Sequence, residues 1–97
     1  MNGPLTIINA NEDSVKDASA LALAALGWIL ADDRRAQRLL DLTGLTPDGL
    51  RASISQVETH RAILDFLTQH EPDLLRAAEA LDVPPATLVA AAGELRR

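Results

Sequence analysis

The chain contains no cysteine and no tyrosine, and Trp28 and Phe66 are its only aromatic residues. Without cysteine there is no disulfide, thiolate metal site or redox centre. Long apolar runs are missing too: the longest, Leu21 to Ala31, has 11 residues and includes Gly27, which is too short to span a bilayer. Basic residues are in deficit, with nine lysines and arginines against 14 acids and a formal charge of −5. That balance repels phosphate backbones and anionic membranes at long range, so nucleic acid and membrane are disfavoured as partners. The amino terminus, Met1-Asn2-Gly3-Pro4, lacks the positive charge that opens a secretory signal, and a soluble cytoplasmic protein is the expectation.

What is present favours helix. Alanine and leucine supply 34 of the 46 apolar residues, while isoleucine and valine together supply nine, a composition that predicts an all-α fold. A chain of 97 residues makes one domain with one modest core, burying roughly 60 to 65% of the unfolded surface.

The chain reads as one helical unit written twice. A shift of 38 residues lays Trp28 on Phe66, Leu26 on Leu64, Arg38 on Arg76, Pro47 on Pro85 and Leu50 on Leu88. Matches of alanine and leucine carry little weight in so biased a composition; the aromatic pair and the proline pair carry the argument. The expected architecture is therefore about six helices in two similar three-helix units related by a pseudo-twofold axis, with both aromatic residues in the core.

Residues 1–13 read as an irregular arm ahead of a single helical domain, 14–97. Helix 1 is expected to start near Ser14, which can form a capping box with Asp17, and from Leu21 to Ala31 it is apolar on every side, as a buried central helix would be. A break is expected near Asp32, because a continuous helix would carry Asp32 and Arg35 onto the stripe of Leu21, Trp28 and Leu39. Helix 2 spans about Asp33 to Thr43 and stops at Gly44. Thr46 caps a short helix 3 with Pro47 in its first turn. Ser55 and Glu58 suggest a capping box for helix 4, which runs to about His70. Helix 5 begins at Pro72, and helix 6 follows Pro84-Pro85 with Leu88, Ala91, Ala92 and Leu95 on its inner stripe.

Catalytic motifs are not found. His60 and His70 lie ten residues apart on one expected helix, about 15 Å and 80° out of phase, so they cannot share a metal; His60 is expected at the rim of the core. Ser14, Thr46 and Ser55 read as caps, and no nucleophile elbow or phosphate loop is present. No cofactor, metal, small-molecule substrate or enzymatic activity is expected. Segments 33–54 and 72–96 resemble a helix-turn-helix, which makes a DNA-associated regulator the alternative reading. Against it, no charged residue lies between Pro85 and Gly93, where a reading helix needs donors and cations. A domain that binds another protein, or itself as a homodimer, is the preferred expectation. Arg34, Arg35 and Arg38 are the candidate partner-binding residues, since cations in the first turns of a helix are unfavourable there. Arg38 also has an internal reading as a pair with Asp41, repeated by Arg76 and Glu79.

The run Leu39-Leu40-Asp41-Leu42-Thr43-Gly44-Leu45-Thr46-Pro47-Asp48-Gly49-Leu50-Arg51, with Ala20 to Ala31 before it and Ile63-Leu64-Asp65-Phe66-Leu67 after it, resembles a short bacterial family catalogued as domain of unknown function thirty-five seventy-two. The resemblance covers about Ser14 to Leu95. It implies a small helical protein and brings no activity or catalytic residues.

Overall fold

The computed structural model describes the backbone of residues 3–96 and the side chains of residues 14–96. Six α-helices, α1 (Gly3–Leu30), α2 (Asp33–Thr43), α3 (Pro47–Ala52), α4 (Val57–Thr68), α5 (Glu71–Leu81) and α6 (Pro85–Leu95), make up the described structure, with no strand among the described residues. Most boundaries fall at residues that cannot continue a helix or that cap one. Asp32 is extended and its carboxylate accepts from the Arg35 amide. Gly44 turns left-handed at φ 73°. The Thr46 hydroxyl accepts from the Gly49 amide, with Pro47 following in the first turn, where its missing N–H costs nothing.

Helices α1, α4 and α6 pack against one another at the centre, with α5 on all three and α2 against α1 and α4. The core stripe of α1 is Ala18, Ala22, Ala25, Leu26 and Ile29, spaced at three and four residues so that one face turns inward. Its alanines let the neighbouring helices approach closely, and Ile63, Leu64 and Leu67 of α4 with Leu88 and Leu95 of α6 fill the space between.

The helix boundaries recur at the 38-residue shift. Residues Leu30 and Thr68 end α1 and α4, α2 and α5 are displaced by 38 at both ends, and Pro47 and Pro85 open α3 and α6. Gly44 and Asp82, the positive-φ residues among those described, match as well. The packing does not repeat in the same way. Helix α3 stops after 6 residues, whereas α6 continues for 11 and packs on both α1 and α4. Phe66 is buried, but Trp28 is only half-buried at the edge of the core.

Several local expectations need correction. The first helix begins at Gly3, so the backbone of residues 3–13 is helical rather than irregular. Gly3 and Pro4 stand where a helix tolerates them, at its start, and nothing from Leu5 to Ser14 interrupts it. Leu5, Ile7 and Ile8, which the sequence leaves either disordered or docked on a groove, lie outside the described side chains. Ser55 does not cap α4, which starts one residue later behind Gln56 without a side-chain cap, and α4 ends at Thr68, short of His70, which precedes α5. The apolar stretch Leu21 to Ala31 is also not buried all round: Leu23 and Leu30 are 41% and 45% exposed, because helices cover α1 on one side only.

Candidate interaction surface

The break between α1 and α2 is held by Arg35. Its guanidinium lies 3.7 Å from the centroid of the Trp28 ring, its Nη2 donates to the Trp28 carbonyl at 2.5 Å, and its Nη1 lies 3.8 Å from Asp32 Oδ2. This arrangement combines a cation–π contact with satisfaction of a carbonyl at the end of α1. The hydrogen bond from the Arg35 amide, and then the charges of Arg35 and Arg34, hold the Asp32 carboxyl below its ordinary value of 3.8. A carboxyl with a lowered folded value adds stability that is complete above its unfolded value and is lost as pH falls through the folded one. Asparagine keeps the cap but not the charge. Asp32→Asn should therefore be less stable than the parent at neutral pH, with the difference shrinking as pH falls below the ordinary carboxyl value of 3.8 and through the lowered folded one; a gap that stays constant in acid urea titrations would contradict this.

Arg38 is committed elsewhere in the fold. Its Nη2 donates to Asp73 Oδ2 on α5, and its guanidinium lies 5.2 Å from the centroid of Phe66. His70 Nδ1 meets the same carboxylate oxygen at 3.1 Å. The expected pairing with Asp41 is not formed; Asp41 accepts from Gln37 Nε2 instead, at 2.9 Å. Of the three candidate arginines, two are thus occupied within the chain and Arg34 is exposed on α2.

His60 is buried in the core rather than at its rim. Its Nε2 lies 2.6 Å from the Ile54 carbonyl oxygen and its Nδ1 2.9 Å from Ser19 Oγ. A carbonyl can only accept, so Nε2 carries the proton and Nδ1 accepts from the serine hydroxyl. A serine, a base and an orienting carbonyl are the parts of a nucleophilic site, but the surroundings do not complete one. Ser19 lies mid-helix, where backbone N–H groups are already bonded within α1 and cannot form an oxyanion hole. The bridge ties α1, the turn after α3 and α4 together.

Open grooves cross the surface of the described residues. One of about 390 Å³ lies between the carboxyl-terminal half of α1, α2 and α3, floored by Leu26, Leu40, Leu50 and Ile54, with Leu30 and Pro47 on its walls and Arg51 at its rim. A second, of about 350 Å³, runs between Leu42 and Leu45 on one side and α4 on the other, with Glu58 and Asp65 at its edge. The third, of about 320 Å³, separates α1 from α6 and carries Asp17 and Glu94. The first is the most apolar in its residues and continues onto the exposed leucines of α1. Leu23 and Leu30, a heptad apart, stand on the side of α1 that no other helix covers. Sequence reasoning missed this face, although the seven-residue spacing of Leu23, Leu30 and the intervening Gly27 signals it.

Among the described residues, no three histidine, aspartate or glutamate side chains come together as a metal site, and no helix is long and apolar enough to cross a membrane. The family model described as Protein of unknown function (DUF3572) matches residues 15–96. The chain belongs to that family, as the run Leu39 to Arg51 suggested. No curated protein and no solved structure matches it.

Proposed function

We propose that this family member is a soluble interaction domain without catalysis of its own, and that its docking surface is the outer face of α1 together with the groove over α2 and α3. The observation that carries the reading is the exposure of Leu23 and Leu30 beside an apolar groove. Contiguous exposed apolar surface is costly in water and marks interaction sites, and a groove between helices suits an amphipathic helix laid into it. Arg35 and Arg38 hold α2 in place through Trp28, Asp32 and Asp73, and Arg34, exposed on α2, is one arginine that a partner carboxylate can meet. A DNA-reading role is the weaker reading: α6 buries Leu88, Ala91, Ala92 and Leu95, and the face it leaves outward carries no cation before Arg96.

Site-specific photo-crosslinking in the native cells tests the proposal. A benzophenone side chain in place of Leu30 should yield protein adducts, while the same group in place of Val89, somewhat more exposed on α6, should yield few. No adduct at position 30, or equal adducts at both positions, would overturn it.

A further inference from the structure

We propose that the groove between the end of α2 and α4 receives a basic side chain of a partner protein, with its aliphatic stem against Leu45 and Phe66 and its cationic head at the Glu58 carboxylate and the Thr59 hydroxyl. This groove, of about 350 Å³, shares no lining residue with the one over α2 and α3. The inference therefore stands apart from the docking surface on α1.

Thr59 carries the argument. It is 6% exposed and lines the groove, and its hydroxyl has no hydrogen-bond partner among the described residues. A hydroxyl taken from water without a partner costs stability, and valine would fill nearly the same space without that cost. A donor that enters the groove removes it. The neighbouring hydroxyl on the lining, that of Thr43, is already engaged: it donates to the Leu39 carbonyl and accepts from the Leu45 amide.

The charges around Thr59 decide what kind of donor enters. Glu58, Ala62, Asp65 and Gln69 recur at helical spacing along one side of α4, so two carboxylates border the groove, and no cation lines it. Asp65 is matched by Arg96, whose Nη2 donates to it at 2.5 Å, and Arg38, over the Phe66 ring, is held by Asp73. Glu58 is exposed and has no ion-pair partner among the described residues. Because Glu58 and Thr59 are adjacent on α4, one ammonium or guanidinium can donate to both. The facing wall is apolar, formed by Leu45 and by Leu42, which is 69% exposed. A side chain that is apolar along its stem and charged at its tip matches both walls. An acidic one would meet Glu58 as a like charge.

A blocked leucine-lysine-leucine peptide, with norleucine or glutamate in place of its lysine as controls, tests the inference by nuclear magnetic resonance titration of the labelled full chain. The lysine peptide should move the amide signals of Thr59, Ala62 and Phe66 saturably, and added salt should weaken it. The norleucine peptide should bind at least about fivefold more weakly, and the glutamate peptide should not bind. Glu58→Gln should reduce the lysine peptide to the level of the norleucine one. Thr59→Val should also weaken binding, yet unfold at the same or a higher urea concentration, because its hydroxyl holds nothing in the free fold; a purely structural threonine would lose stability and leave binding untouched. Shifts that do not saturate, that spread equally over the other grooves, or that are alike for the three peptides would overturn the inference. So would a Thr59→Val chain that is destabilised and binds as the parent does.

Discussion

Replacing Phe66 by alanine should lower the unfolding free energy by about 3 to 5 kcal/mol, the usual range for a buried phenylalanine, whereas Trp28→Ala should cost only about 1 to 3 kcal/mol. The two residues occupy equivalent places in the 38-residue shift, so sequence alone predicts equal effects. The structure separates them. Phe66 is 4% exposed within the core, and its removal leaves a cavity beneath the Arg38 guanidinium. Trp28 lies at the core's edge with Arg35 stacked on it, so water and Arg35 can move into the vacated space. A domain of this size has roughly 5 to 15 kcal/mol in total, and Phe66→Ala should therefore leave a marginal fold. Urea unfolding of the two variants, read by circular dichroism, decides the matter: equal losses would mean that the tryptophan is as well packed as the phenylalanine.

Helix order and most helix ends were legible because they are written locally. Asp32, Gly44, Thr46-Pro47 and Pro84-Pro85 each act within a turn of the boundary they set, and the inner stripe of α6 followed from spacing alone. What was not legible depends on contacts distant in sequence. Arg38 finds Asp73, 35 residues away, instead of Asp41 one turn along its own helix. His60 on α4 reaches back to the Ile54 carbonyl and across to Ser19 of α1, contacts that no local pattern announces. The candidate surface was hidden for a related reason: an apolar stretch without a polar side, such as Leu21 to Ala31, has no orientation until its neighbours are placed. Once α4 and α6 cover the alanine stripe, Leu23 and Leu30 are left outside.

Arg38→Met should destabilise the fold by about 1 to 3 kcal/mol, the cost of leaving a buried acceptor without its partner, and Asp73→Asn should cost less than about 1 kcal/mol. The asymmetry follows from burial. The Asp73 side chain is 5% exposed and that of Arg38 44%, so a guanidinium that loses Asp73 turns to water, while a carboxylate that loses Arg38 cannot. Asparagine also keeps an oxygen to accept from Arg38. Asp73 retains His70 at 3.1 Å and the positive end of α5, which limits the loss in Arg38→Met. Adding His70→Ala to Arg38→Met should accordingly cost more than His70→Ala alone, a coupling that a double-mutant cycle measures directly. The effect reaches the candidate surface as well. Leu40, two residues beyond Arg38 on α2, lines the groove, so releasing α2 from α5 should loosen the wall against which a partner helix packs. If Asp73→Asn proves the more damaging of the two, the carboxylate is not buried at the expense of its partner, and Arg38 is a surface residue that merely rests beside it.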